Sequence, residues 1–128
     1  MAGFEQADAQ LAGVAQQQFG LRAAVDAGEL WMDADVAERA AARCDQAVEE
    51  LDHWLIRAHE LTVRRKFGDN EDGNAAAERF VQAGHEFIAT MRNAQQIFAN
   101  MAATFRAAGR TVAKADEAGR QMFRGKPE

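Results

Sequence analysis

"FVQAGHEFIATMRNAQQIFANMAATF", Phe80–Phe105, settles what kind of chain this is. Phe80, Gly84, Phe87, Met91, Ala94, Phe98, Met101 and Phe105 follow one another at alternating steps of four and three residues. The rhythm begins at Ala77 and continues through Ala108, Val112, Ala115 and Gly119 to Met122 without a skip. A heptad line this long exceeds the three or four repeats that define a helix-packing seam. It predicts one helix from about Asn74 to Phe123, roughly 75 Å long at 1.5 Å per residue. Gly84 and Gly119 fall in the line itself, where a missing side chain lets a neighbour approach closely.

The same spacing recurs upstream in Ala37, Ala40, Cys44, Ala47, Leu51, Trp54, Ala58 and Leu61, with Val48 and Leu55 widening the face. In "DADVAER" Asp35 is the expected N-cap, with Glu38 three residues on completing a capping box; Asp33 competes for the role. The helix is expected to end near Arg64–Lys66, three cations suited to the negative end of the helix dipole. Gly68 suits a left-handed residue past that end, and Asp69, Asn70, Asp72 and Asn74 are all candidate caps for the next helix. A short connection between long helices implies antiparallel neighbours.

The first segment is patterned more weakly. Phe4, Leu11, Val14, Leu21 and Val25 share a helical face with Ala7 and Gln18, while Gly13 and Gly20 loosen it. It either folds back as a third helix or lies along a partner. Leu30 and Trp31 sit in the break that follows, where Trp31 is expected to plug one end of the core. The reading is therefore all-α: a long antiparallel helical hairpin over residues 33–128, turning near 66–74, preceded by a helical segment over 1–32. The whole forms one domain, either a three-helix bundle or an elongated, coiled-coil-like hairpin.

Composition narrows the function. The formal charge of −5 argues against nucleic acid, which requires a basic face. Residues 1–62 hold twelve acids against four bases, and residues 63–128 eight against eleven, for net charges of −8 and +3. Antiparallel halves of opposite sign attract modestly. No stretch is long and apolar enough to span a membrane, and no cleaved secretory signal is expected in "MAGFEQADAQLAG". Cys44 is the single cysteine and falls on the apolar line, as a buried structural thiol would.

Catalytic and metal patterns fail when tested one by one. With Gly73 as the sixth residue of a calcium loop, the first and twelfth positions are Gly68 and Arg79, neither of which can supply the required carboxylate. Glu50 and His53 have the spacing of a di-iron ligand pair, but no second such pair exists. The chain contains no serine and no Gly-rich phosphate loop, and Cys44, which would need a nearby His as base, lies on an alanine-rich line with little access to substrate. No catalytic residue, cofactor or metal is expected. Leu51, Trp54, Leu61, Phe80, Phe87, Met91, Phe98, Met101 and Phe105 are expected to pack, in the core or against a partner.

The hinge "KFGD", with Phe67 before Gly68, and the tail "FRAAGRTVAKADEAGRQMF" together resemble the small helical-hairpin substrates of type VII (ESX) secretion systems, of the actinobacterial type, over roughly residues 33–125. That family carries a Trp-Xaa-Gly turn; here the aromatic is Phe and nothing separates it from the glycine. Its export signal places Tyr four residues before an acid; Asp116 takes the acidic position here and Val112 the aromatic one. The resemblance implies a non-enzymatic protein that pairs, as a hetero- or homodimer, with another helical hairpin or with the helical domain of a secreted effector. It also implies recognition by the secretion ATPase, and a protein that is cytoplasmic before export. The rival reading is a cytoplasmic scaffold that homo-oligomerises as a coiled coil.

Overall fold

The computed structural model describes residues 3–124, with side chains described as far as Arg110. It is helical throughout: α1 spans Glu5–Asp26, α2 Ala34–Ala58 and α3 Glu71–Arg124, and a 3-10 turn over His59–Thr62 extends α2. Among the described residues there is no strand, and no helix is long and apolar enough to cross a membrane. α2 is capped by Asp33, not Asp35: its Oδ1 accepts the Asp35 N–H at 2.9 Å and the Val36 N–H at 3.3 Å. Asn70 starts α3, accepting the Gly73 N–H on its side chain at 2.7 Å and the Asn74 N–H on its carbonyl at 3.0 Å.

α3 is the spine, with 54 residues and a length of roughly 80 Å. α1 runs parallel to it. Phe4 stacks edge-on against Phe87, the Thr90 hydroxyl donates to Asp8, Gln18 donates to the Asn100 carbonyl and to Thr104, and Val25 packs on Ala107 and Ala108. α2 runs antiparallel along the same stretch: Ala37 meets Gly109, Ala41 and Cys44 meet Ala102, and Leu55 and Ala58 meet Ile88. α1 and α2 both touch α3 but do not approach each other within 8 Å between Cα atoms. The three helices thus form an open layer with α3 in the middle.

Small residues occupy the tightest contacts. Ala37, Ala41, Cys44, Ala94, Ala102, Ala107 and Ala108 are buried, and short side chains let backbones come close. Along α2 the line facing α3 is Ala37, Ala41, Cys44, Val48, Leu51, Leu55 and Ala58. Trp31 does not plug the core; it is 63% exposed. Met32 does that job, packing against Val25, Ala107 and Ala108 and donating its N–H to the Ala108 carbonyl at 3.3 Å.

The connection is longer than a tight hairpin turn. α2 gives up α geometry at Ala58, well before Arg64–Lys66, and passes into the 3-10 turn, whose Leu61 lies against α3. There Gly84 removes the side chain that would collide with the Leu61 carbonyl. Residues 63–70 then run back over the first turns of α3. Phe67 meets Phe80 with ring centroids 5.9 Å apart, and Gly68 adopts φ +116 inside this return rather than at a helix end.

The flank of the α2–α3 seam opposite Trp54 is polar. Arg106 forks onto Glu38 at 2.9 and 3.1 Å and reaches Asp45 at 2.8 Å, while Gln95 donates to the Val48 carbonyl and to Asp52. This is where the acidic first half meets the basic second half. The hydrogen bond from Arg106 holds the Glu38 carboxyl below its usual value of 4.5. A depressed carboxylate stabilises the fold above its unfolded pKa, and that contribution disappears as pH falls through the folded value. The Tm difference between wild type and Arg106→Met should therefore be largest near neutrality and shrink below about pH 4. Because the pair is exposed, added salt should shrink it too. Thermal melts across pH check this, and a difference that grows on acidification would refute it.

Candidate functional site

The half-buried side chains of Phe87, Met91, Phe98, Met101 and Phe105 lie on the α3 arc between the lines that α1 and α2 cover. Since α1 and α2 do not meet, these residues floor an open groove rather than a closed core. Phe87 marks the place where both walls are seen: Phe4 touches it on the α1 side, and Leu51, Trp54 and Ala58 of α2 with Leu61 of the 3-10 turn surround it and Met91 on the other. There the groove deepens into an apolar hollow of about 420 Å³. Arg57 lies over the Trp54 ring, 5.7 Å from its centre. From Phe87 to Phe105 the floor is about 27 Å long.

Of the residues the sequence singled out, Phe80, Phe87, Met91, Phe98, Met101 and Phe105 come together on one side of α3, and Leu51 is half-buried beside them. Trp54 and Leu61 border the groove but stay 60% and 36% exposed, so neither belongs to the core. Phe67 and Gly68 lie in the return loop over Phe80 and Gly73. Val112 and Asp116 are on the α3 backbone one turn apart, and their side chains lie outside the described residues, as do those of Ala115 and Met122.

The buried positions that sequence reasoning passed over are Ala41, Ile88, Thr90, Ile97, Ala102 and Ala107. Ile88 and Ile97 each adjoin a phenylalanine of the heptad line, and their signal was the width of the apolar arc: a second wall needs a second line.

The chemistry of the rest is quiet. Among the described residues no group of three or more His, Cys, Asp or Glu side chains is placed to hold a metal ion. His53 and His85 are exposed, and Asn70 is engaged as a helix cap. Cys44 is buried against Ala41 and Ala102, and that burial, with Asp45 adding to it, pushes its thiol up and away from the reactive thiolate. Comparison with protein-family models, with curated proteins and with solved structures gave no match.

Proposed function

We propose that this chain is a non-enzymatic partner protein whose groove holds a helix of another polypeptide. The observation that carries this reading is the half-buried line of five Phe and Met residues between two helices that do not meet. Such a floor loses little water in the isolated chain and much more when a fourth helix covers it, at about 25 cal/mol per Å². An amphipathic helix laid in an apolar groove is a recurrent mode of recognition.

The resemblance to type VII (ESX) hairpin substrates provides the setting. Support comes from the antiparallel course of α2 and α3, the Phe67–Gly68 pair in their connection, and Val112 and Asp116 at a one-turn spacing. In that setting the partner is another helical hairpin or the helical domain of a secreted effector, and the end of α3 is offered to the secretion ATPase. The protein is then cytoplasmic until export.

The test is co-purification from the native host. Wild type is expected to bring down one stoichiometric helical partner. Phe98→Asp, at the centre of the floor, and Trp54→Glu, on an exposed rim where folding is not at stake, should each reduce recovery at least tenfold, about 1.4 kcal/mol. Circular dichroism of the free variants separates lost binding from lost fold. If the chain instead purifies as a homo-oligomer that the same substitutions dissolve, the coiled-coil scaffold reading replaces this one. In culture filtrate, Asp116→Ala is expected to remove the protein if the tail is an export signal.

A further inference from the structure

The two rims of the groove differ in charge, and the difference specifies the helix that fits. On α2, Arg57 stands over Trp54 at the rim of the apolar hollow. Glu50 and Arg43 follow at seven-residue intervals, about 10.5 Å apart along the helix, so all three share one flank. All are exposed, and none makes an ion pair among the described residues. This contrasts with the opposite flank of α2, where Glu38 and Asp45 are already taken by Arg106.

On α1 the rim is uncharged. Asp8 bonds Thr90, on the side of α3 away from the groove, so the residue before it on the helix, Ala7, turns toward Phe87. Val14 and Leu21 share that flank at heptad spacing, with Gln10 and Gln17 beside them. Val14 and Leu21 are 41% and 51% exposed, large apolar residues that α3 does not cover.

We infer that the occupant is a single amphipathic α-helix of a different chain, with an acid, a base and an acid at successive heptad positions facing Arg43, Glu50 and Arg57, and with an uncharged flank facing α1. This rests on the groove reading above. Complementary charges at such rim positions select partners more than they add affinity. A second copy of this chain is disfavoured by shape: a groove needs a ridge, and the large residues of α3 lie below the level of α1 and α2. The plus–minus–plus order reads the same in both directions, so the hollow at Trp54 and Phe87, which takes the occupant's largest apolar side chain, decides which way the helix lies.

The probe is a pair of designed three-heptad peptides with leucine at the core positions. One carries Glu, Lys, Glu at seven-residue spacing on one edge; the other carries Lys, Glu, Lys, with net charges equalised on the outer face. Binding to the full chain is read by fluorescence anisotropy at low salt. The matched peptide is expected to bind roughly tenfold more tightly, three exposed pairs changing from attraction to repulsion. The triple variant Arg43→Glu, Glu50→Arg, Arg57→Glu should reverse the preference. Equal binding of both peptides, abolished by Phe98→Asp, would overturn the charge rule and leave the groove intact. Failure of both to bind a chain that sedimentation shows to be monomeric would overturn the two together. A homodimer dissociated by Trp54→Glu would overturn the different-chain assignment.

Discussion

Gly84→Ala should lower the stability of this protein, although alanine is the better helix former by about 1 kcal/mol. A Cβ on Gly84 would run into the carbonyl oxygen of Leu61, with the carbonyl carbon at 2.7 Å and the Leu61 Cβ at 3.0 Å. Two of these three atoms are backbone, so a rotamer change cannot relieve the collision; the 3-10 turn would have to lift off α3. Overpacking of this kind costs about 1–3 kcal/mol, which after the gain in propensity leaves a net loss of up to about 2 kcal/mol and a fall in Tm of up to about 8 °C. Gly13→Ala is the matched control. Its Cβ meets nothing within 4 Å, so the same chemical change in α1 should stabilise its helix by up to about 1 kcal/mol. Thermal unfolding followed by circular dichroism compares the two, and equal shifts of the same sign would mean that Leu61 is not seated on α3.

Leu55→Ala should be the most damaging truncation on α2, and Trp54→Ala among the mildest, although tryptophan is much the larger residue. Leu55 is 7% exposed and packs with Ala58 and Ile88, backed by Phe87 and Met91. Removing it deletes apolar contact and leaves a cavity beneath α2, at about 2–4 kcal/mol. Trp54 has the Arg57 guanidinium over its ring but no closed pocket around it, so its loss should cost under about 1 kcal/mol in the isolated chain. Urea unfolding of the two variants gives the comparison directly. A Trp54 effect as large as that of Leu55 would place the α2 seam on the other register. In the presence of a bound partner helix the order should tighten, because Trp54 then becomes buried and aromatic rim residues of this type carry binding energy.

Much of the architecture could be read from the residues alone. The unbroken three–four spacing from Ala77 to Met122 requires a long helix, since no other backbone returns those residues to one line. The structure has α3 over Glu71–Arg124. The apolar line through Cys44 predicts its burial, and it is buried; Gly84 in the heptad line predicts a close approach, and the neighbour there is Leu61. The helix ends were less legible. Asp33 and Asp35 both precede the same apolar run, and only the backbone at Asp33, with φ −54 and ψ 134, distinguishes the true cap.

The groove itself was harder to see, for a reason visible on α2. Alanine or another apolar residue stands at 40, 47, 54 and 61 and also at 41, 48 and 55, so two adjacent lines were equally fit to face α3. Helical periodicity says which residues share a line, and here that was enough to establish long helices, their approximate starts and the aromatic edge of α3. It does not say how many neighbours a helix has, or at what angle they stand around it. That depends on where α1 and α2 come to rest, one on either side of α3. Their separation buries Leu55, Ile88 and Ile97, keeps Trp54 in water, and leaves the phenylalanines between them half-covered.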